Sequence, residues 1–210
     1  MNSVRRRLVI TLAAAPWLAP LSTYAQQNPP YLELNPPLPV ESAGKIEVLE
    51  FFWYGCIHCY NLEPRIETWL KTRPKDVEFR RVPAVFNQRW AHDAAIFYAF
   101  DAMGLVDKLH RPFFDAIHRD RLRSDAAESL NPWLEKHGVD PKKFQEVVRS
   151  FGVQSKAKRA IRLTTDYRID GTPAMAVHGR YTVSAEQGRS QNGMFETVNY
   201  LIDQVRKGGK

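Results

Sequence analysis

The chain has 210 residues, of which 30 are basic and 23 are acidic, giving a net charge of +7, and it contains only two cysteines. A hydrophobic share of 44% and a charged share of 25% are ordinary for a globular protein and exclude the collagen-like and disordered classes. Two cysteines are too few for a disulfide-rich scaffold or a four-cysteine zinc site. Beyond the first 25 residues, no apolar run is long enough to span a bilayer.

Residues 1–25 have the pattern of a secretory signal. Three arginines at 5–7 precede a mostly apolar stretch at 8–21, and the sequence TYA at 23–25 provides a small-x-small cleavage site. A membrane anchor is the alternative, but the apolar stretch is short for a span. The signal predicts an exported protein of bacterial type.

The positive charge becomes less informative once this segment is removed. Loss of its three arginines lowers the net charge from +7 to +4. The basic residues at 156–162 are typical of a solvated helix face, and no basic run is interleaved with stacking aromatics. We therefore expect no nucleic-acid partner.

The mature chain begins with a lead-in rich in proline and polar amides, followed by a predicted strand–helix–strand unit. Residues 45–54 are dense in β-branched and aromatic side chains, which suits a central strand covered on both faces, although Glu50 interrupts them. Residues 56–71 have helical spacing, and Pro64 is expected to kink this helix without ending it. A second strand is predicted at 77–82, which completes a βαβ unit.

The next segment is predicted to be helical throughout. One helix at 91–103 ends at Gly104, and another runs to about residue 118. Asn131-Pro132 and Asp140-Pro141 each suggest an N-cap followed by proline at the first helical position. Further signals are two stops, at Gly138 and Gly152, and a long last helix at 155–167.

Strand signals return after residue 170. Residues 174–178 and 180–184 flank Gly179 and predict a hairpin, and apolar residues from 195 to 205 mark one face of a terminal helix. The predicted fold class is α/β, with one domain at 26–87 and 169–210 and an inserted all-helical domain at 88–168.

The two cysteines form the sequence Cys56-Ile57-His58-Cys59, directly after a strand and at the start of a helix. Unpaired amides and the positive dipole end at a helix N-terminus favour a thiolate, so Cys56 is predicted to be the low-pKa nucleophile. His58 can add positive charge or a hydrogen bond to the same sulfur. Cys59 lies one turn further on, and we expect it to be more buried and to resolve a mixed disulfide.

Three other interpretations of this motif are weaker. A zinc site would need two further ligands at suitable spacing. Covalent haem attachment needs histidine directly after the second cysteine, where Tyr60 stands. An inert structural disulfide would gain little, because so short a loop restricts the unfolded chain only slightly.

The sequences FFWYGCIHCY and GTPAMAVHGRYTV resemble the DsbA family of periplasmic thiol:disulfide oxidoreductases, and the likeness covers essentially the whole mature chain. The resemblance implies a thioredoxin-like fold interrupted by a helical domain, and donation of the active-site disulfide to newly exported proteins. It also implies re-oxidation by a DsbB-like, quinone-linked membrane oxidase, a monomeric state, a periplasmic location, and no cofactor or metal beyond the cysteine pair.

The resemblance assigns roles to individual residues. It makes Cys56 the nucleophile and Cys59 the resolving thiol, with His58 stabilising the reduced form. It places Thr172 and a cis Pro173 in a loop facing the active site, where Thr172 can pair with an extended substrate strand. Two departures, Ile57 in place of proline and Thr172 in place of the valine of the strongest oxidases, affect the expected oxidising power and leave the reaction class unchanged.

Other polar and aromatic residues have less certain roles. Glu50 resembles the family's buried acid, a candidate proton relay for Cys59, with an acid turned to solvent as the alternative. Trp53 is a candidate for an apolar peptide-binding surface, and three further aromatics, more often found in cores, could extend it: Tyr54, Tyr60 and Trp90. The five remaining histidines lack ligand spacing and receive no role: His92, His110, His118, His137 and His178.

The sequence therefore predicts a periplasmic dithiol oxidase. A reductase or isomerase remains the alternative within the same class. A peptide-binding or metal-binding chaperone is the alternative from a different class, and it would retain metal without oxidising a dithiol peptide.

Overall fold

The computed structural model describes residues 29–188 and 190–208. The predicted secretory signal at 1–25 lies outside the described residues. The described chain runs through these elements, in order: β1 (Leu32–Glu33), β2 (Ile46–Phe52), α1 (Ile57–Thr72), β3 (Val77–Pro83), α2 (Gln88–Ala102), α3 (Val106–His118), α4 (Ala127–Lys136), α5 (Pro141–Arg149), α6 (Phe151–Asp166), β4 (Ala174–Val177), β5 (Tyr181–Ser184) and α7 (Gln191–Gly208).

The five strands form one mixed sheet in the order β1-β5-β4-β2-β3. Strand β2 pairs in parallel with β3 and antiparallel with β4, and all seven of its residues are buried. This is the central strand that the unbroken apolar run predicts. The βαβ unit is confirmed by the parallel pairing of β2 with β3, and the hairpin by the antiparallel pairing of β4 with β5.

The sheet is covered on both faces, and the alternation of side chains along β2 divides them. Val48 points into a cluster with the apolar stripes of α1 and α7, whereas Leu49 and Phe51 point into a cluster with α2 and α6. Helix α1 continues through Pro64, as expected, because Leu62 and Ile66 on either side of it are fully buried against the sheet.

Helices α2 to α6 lie between β3 and β4 in the chain. Of these helices, α2 to α5 share a third, aromatic cluster with the end of β2 and the start of α1, in which Phe52 and Cys59 meet Phe97, Phe113 and Phe114. The end of the central strand and the second cysteine are therefore enclosed by these helices. The domain boundaries at residues 87–88 and 168–169 stay a prediction.

Two of the predicted helix boundaries are wrong. Pro132 is inside α4, which begins at Ala127, so Asn131 is not an N-cap. Burial of Leu130 and Leu134 on either side holds the helix together despite the missing backbone donor. Gly152 lies in the first turn of α6, and the break between α5 and α6 falls at Ser150, whose hydroxyl caps α6.

The other boundary signals agree with the structure. Asp140 caps α5, and Pro141 is its first residue. Gly104 and Gly138 follow α2 and α4 with positive φ angles of 66° and 79°. Of the helices in the described ranges, none has the length and apolar character needed to cross a membrane.

Candidate active site

Cys56 is the N-cap residue of α1. Its Sγ accepts a hydrogen bond from the Cys59 amide at 3.3 Å, and both cysteines are free thiols in the structure. The pKa of Cys56 is lowered from 9.0 to about 5, and the largest cause is a hydrogen bond from the Cys59 thiol. Partial burial opposes this effect, and hydrogen bonds from the Thr172 hydroxyl and nearby amides add to it. The sulfur is thus held as a thiolate at neutral pH.

Cys59 differs from Cys56 in both burial and acidity. Its side chain has 0% exposure, within the aromatic cluster formed with α2 and α3. Burial raises the pKa of Cys59 well above its ordinary value, and the hydrogen bond to Cys56 raises it further. At neutral pH the reduced pair therefore consists of one thiolate and one thiol.

The loop before β4 faces Cys56. The Thr172–Pro173 peptide bond is cis, as the resemblance implies, and the Thr172 carbonyl oxygen lies 3.4 Å from the Cys56 Sγ. Pro173 is buried, whereas Thr172 is only half-buried. Backbone groups of Thr172 thus lie beside the reactive sulfur at the edge of the solvent.

In this structure His58 contributes to Cys56 through its main chain. Its side chain is exposed, and the hydrogen bond that it provides to Cys56 comes from its backbone amide. The His58 carbonyl accepts a hydrogen bond from Gln191 at 3.4 Å, which ties the first turn of α1 to α7. The N-cap geometry turns the amides of the first turn towards Cys56. A contribution from the imidazole itself stays a prediction.

Glu50 is buried, with 0% exposure, so the solvent-facing alternative is wrong. Its Oε2 lies 3.2 Å from Arg81 Nε, but neither carboxyl oxygen makes a hydrogen bond within the described part of the chain. The pKa of Glu50 is raised from 4.5 to about 8, by burial first and then by the negative charge of Glu63, with Arg81 opposing both. Glu50 is therefore protonated at neutral pH.

The structure adds three residues that the sequence analysis did not select: Glu63, Arg81 and His110. Glu63 is buried on α1 and accepts hydrogen bonds from Arg81 Nη2 at 3.0 Å and from His110 Nε2 at 3.3 Å. Its position could have been found, because it follows Cys59 by four residues and so shares the buried face of the same helix. Arg81 and His110 come from β3 and α3, and no local pattern marks them.

Trp53 lies beside the active site, where its carbonyl accepts from the Cys56 amide at 3.0 Å. Its indole N–H donates to Asp93 at 2.8 Å, and its ring stacks on Trp90 with centroids 4.3 Å apart. Phe86, exposed and edge-on to Trp90, extends this aromatic surface.

The other two aromatics lie elsewhere. Tyr54 is buried at 1% exposure, so it belongs to the core, the commoner alternative for such residues, and does not extend the surface. Tyr60 is half-buried, donates to Asp115 and stacks on His118.

A strand-to-helix junction that holds one thiolate and one buried thiol, opposite a cis-proline loop on a βαβ-ββα sheet, defines a thioredoxin-fold thiol:disulfide oxidoreductase. Residues 81–192 match the family model described as the DSBA-like thioredoxin domain. The chain belongs to the DsbA family.

Named relatives agree with this assignment along the chain. The thiol:disulfide interchange protein DsbA of Azotobacter vinelandii is 37% identical, over 97% of this chain and 99% of its own length. The Bordetella parapertussis protein of the same name is 43% identical, over 93% of each. The crystal structure of Pseudomonas aeruginosa DsbA is 35% identical, covering 86% of this chain and 94% of its own, with a TM-score of 0.81. The predicted family, fold class and enzyme class are therefore confirmed, and the chaperone alternative is not favoured.

Proposed function

We propose that this protein is a periplasmic dithiol oxidase that transfers its Cys56–Cys59 disulfide to cysteine-containing substrate proteins. The observation that carries the proposal is the inequality of the two thiols: a half-buried thiolate at a helix N-terminus and a fully buried thiol. Such a pair stabilises the reduced enzyme, and a stable reduced form makes the disulfide a strong oxidant.

In the first step, a substrate thiolate attacks the Cys56 sulfur of the disulfide. A bond forms between the substrate sulfur and Cys56, the bond between Cys56 and Cys59 breaks, and the electron pair of that bond leaves on Cys59. Half-burial makes Cys56 the accessible sulfur, whereas Cys59 is enclosed. Cys59 then takes up one proton, because its raised pKa disfavours a buried thiolate.

In the second step, the other substrate thiolate attacks the substrate sulfur of the mixed disulfide. The substrate disulfide forms, and Cys56 leaves with the electron pair of the broken bond as a thiolate. The substrate has then lost two electrons, and the enzyme holds them as one thiolate and one thiol. A leaving group with a pKa of about 5 departs readily at neutral pH, which favours release of the oxidised substrate.

Glu50 is the proposed source of the proton that Cys59 takes up. It is buried, and its charge acts on both cysteines. A carboxyl with a pKa of about 8 holds a proton at neutral pH and can release it during the reaction. Without Glu50, this proton would have to reach Cys59 through the apolar cluster that surrounds it.

The substrate is proposed to bind in extended form across the Thr172–Pro173 loop, with Trp53 and its stacked neighbour as an adjoining apolar surface. The position of Thr172 beside the Cys56 sulfur supports backbone pairing at this point. Thr172 and Ile57, where the family more often has valine and proline, are expected to adjust the potential and the lifetime of mixed disulfides.

The remaining assignments rest on the family and the sequence. The secretory-signal pattern and the DsbA relatives support a periplasmic location, substrates among newly exported proteins, and re-oxidation by a DsbB-like membrane oxidase coupled to quinone. We further propose a monomer whose redox group is the cysteine pair alone, without cofactor or metal. In the described ranges, no group of three or more His, Cys, Asp or Glu side chains is arranged to hold a metal ion.

The equilibrium of the Cys56–Cys59 pair with a glutathione buffer tests the proposal. Tryptophan fluorescence, with Trp53 beside the active site, can follow the redox state. We expect a potential well above that of thioredoxin, which is about −270 mV. A value near thioredoxin's would overturn the oxidase assignment and indicate a reductase.

The order of the two cysteines has its own test. The Cys59→Ala variant should accumulate mixed disulfides with substrates through Cys56, because no second thiol remains to resolve them. The matched Cys56→Ala variant should trap none, since Cys59 is enclosed. Trapping through Cys59 would reverse the two roles.

A further inference from the structure

His110 is a buried histidine that neither the motif nor the proposed reaction explains. It lies on α3 with 5% exposure, and its ring is surrounded by aromatic side chains that include Phe52 and Phe114. Both ring nitrogens nevertheless have partners. Nδ1 lies 2.9 Å from the Tyr54 hydroxyl, and Nε2 lies 3.3 Å from Glu63 Oε1.

These contacts determine how the ring is protonated. The pKa of His110 is lowered, chiefly by burial, so the ring is neutral at neutral pH and carries one N–H. Since Glu63 can only accept when ionised, that N–H is assigned to Nε2, and Nδ1 accepts from the Tyr54 hydroxyl. Tyr54 thus fixes the ring in the orientation that donates to Glu63.

Glu63 and Glu50 share Arg81 but differ in their other contacts. Both oxygens of Glu63 accept hydrogen bonds, one from His110 and the other from Arg81. Glu50 lies 3.2 Å from Arg81 and, in the described residues, has no hydrogen bond to either oxygen. Two buried carboxyls beside one guanidinium favour a single shared proton, and hydrogen bonds decide which carboxyl stays ionised.

We propose that His110 is a positioning residue that decides which of the two buried carboxyls carries the proton. By donating to Glu63 it keeps that carboxyl ionised, and the proton remains on Glu50, the carboxyl that is electrostatically coupled to both cysteines. The hydrogen bonds of His110 go to Tyr54 and Glu63, so it would act on the cysteines through the two acids. The inference deepens the proposed function, since a proton on Glu50 matters only if Cys59 takes it up.

The acidities agree with this geometry. Burial alone would raise the pKa of Glu63, but the hydrogen bond and charge of its partners lower it overall. The pKa of Glu50 is raised to about 8, and the charge on Glu63 is one of the causes. The titratable groups facing this site come from the neighbouring elements: Glu50 from β2, Tyr54 and Cys56 from the loop after it, Cys59 and Glu63 from α1, Arg81 from β3, Asp93 from α2, and His110 and Arg111 from α3.

Carboxyl carbon NMR of the full protein labelled at glutamate tests the inference without relying on activity. Signals are assigned with the Glu50→Gln and Glu63→Gln variants. In the unmodified protein we expect a protonated Glu50 and an ionised Glu63 at neutral pH. His110→Leu keeps the volume but removes the donor, and it should move the proton towards Glu63. His110→Gln, which retains an N–H donor at a similar reach, should restore the original distribution.

A kinetic readout accompanies the spectrum. The rate at which Cys59 resolves a Cys56–glutathione mixed disulfide should fall about tenfold in His110→Leu, the factor that one hydrogen bond to a charged group is worth. It should recover in His110→Gln. His118→Gln is the matched control, because His118 lies on the same helix and its ring bonds the Tyr54 carbonyl at 2.8 Å instead of a carboxylate. The control should change neither readout.

An unchanged proton distribution in His110→Leu would overturn the inference. If that variant does not fold, Tyr54→Phe takes its place, because it frees the imidazole to turn and should move the proton in the same direction. An unchanged proton distribution in Tyr54→Phe would then overturn the inference. The two proposals can fail separately. If the Cys56–Cys59 pair has a potential near that of thioredoxin in the glutathione equilibrium, but His110→Leu still moves the proton to Glu63, the oxidase proposal is contradicted and the role of His110 is intact.

Discussion

Replacing Glu50 by glutamine should stabilise the folded protein, and the gain should grow with pH. Glu50 has 0% exposure, and its pKa rises from 4.5 to about 8 on folding. A raised pKa of an acid means that folding favours the protonated form, so the penalty is absent below about pH 4.5, grows through neutral pH and levels off above about pH 8. Glutamine does not ionise and carries no such penalty.

The size of the stabilisation follows from the pKa of Glu50 in the unfolded and folded states. Between pH 4.5 and pH 7, at about 1.4 kcal/mol per pH unit, Glu50 costs about 3 kcal/mol of folding free energy. Burial of the glutamine amide, which also has to leave water, offsets part of this and reduces the net gain of Glu50→Gln to about 2 kcal/mol at neutral pH. For a chain of this length that corresponds to a rise in Tm of about 4–8 °C.

Urea unfolding of the reduced protein at pH 5, 7 and 8 measures this dependence. At pH 5 the gain should be below about 1 kcal/mol, because little of the penalty has developed there. Glu78→Gln is the control, since Glu78 forms an exposed ion pair with Lys45 and should show no growing gain. A gain that is equal at all three pH values, or a loss of stability at pH 8, would refute the reasoning.

Two other substitutions test the site and the fold. Cys59→Ala should raise the pKa of Cys56 by about one unit, because the hydrogen bond from Cys59 is the largest cause of its lowering. Thiolate absorbance measures the shift, and an unchanged midpoint would assign the lowering to the Thr172 hydroxyl and the backbone amides. Gly179→Ala should destabilise the protein by more than about 1 kcal/mol, because Gly179 has a φ of 66° and a new Cβ would lie 2.1 Å from the Leu38 carbonyl oxygen. Gly138→Ala, at a φ of 79° in open space, should cost less in the same thermal unfolding experiment, and equal costs would contradict the close-contact argument.

Local chemistry made much of the fold predictable. The apolar run of β2, the helical spacing of α1 and the glycine at 179 each act within a few residues, and each leads to the observed element. The acidity of Cys56 was predictable for the same reason, because an N-cap position is a property of one turn. The errors at Pro132 and Gly152 arose where tertiary burial or an exposed first turn overrode a local signal.

The polar groups around Glu50 were only partly predictable. Glu63 could have been selected from its spacing on α1, but Arg81 and His110 lie 18 and 47 residues from it in the chain. Their contacts depend on how β3 and α3 pack on α1, which no short window of sequence specifies. His110 also lacks ligand spacing, so its chemistry becomes visible only from its partners.

The enclosure of Cys59 by the helices between β3 and β4 bears on how this enzyme could have arisen. The Cys59 thiol, followed by Thr172 and the first-turn amides of α1, lowers the pKa of Cys56. Phe97 and Phe113, which come from α2 and α3, help to keep Cys59 out of water. The two halves of the redox couple are thus set by separate stretches of the chain. Changes within the helical segment can retune the chemistry of the pair while the Cys56-Ile57-His58-Cys59 sequence itself stays untouched, so the insertion is a means of adjusting the thiol chemistry as well as a structural addition.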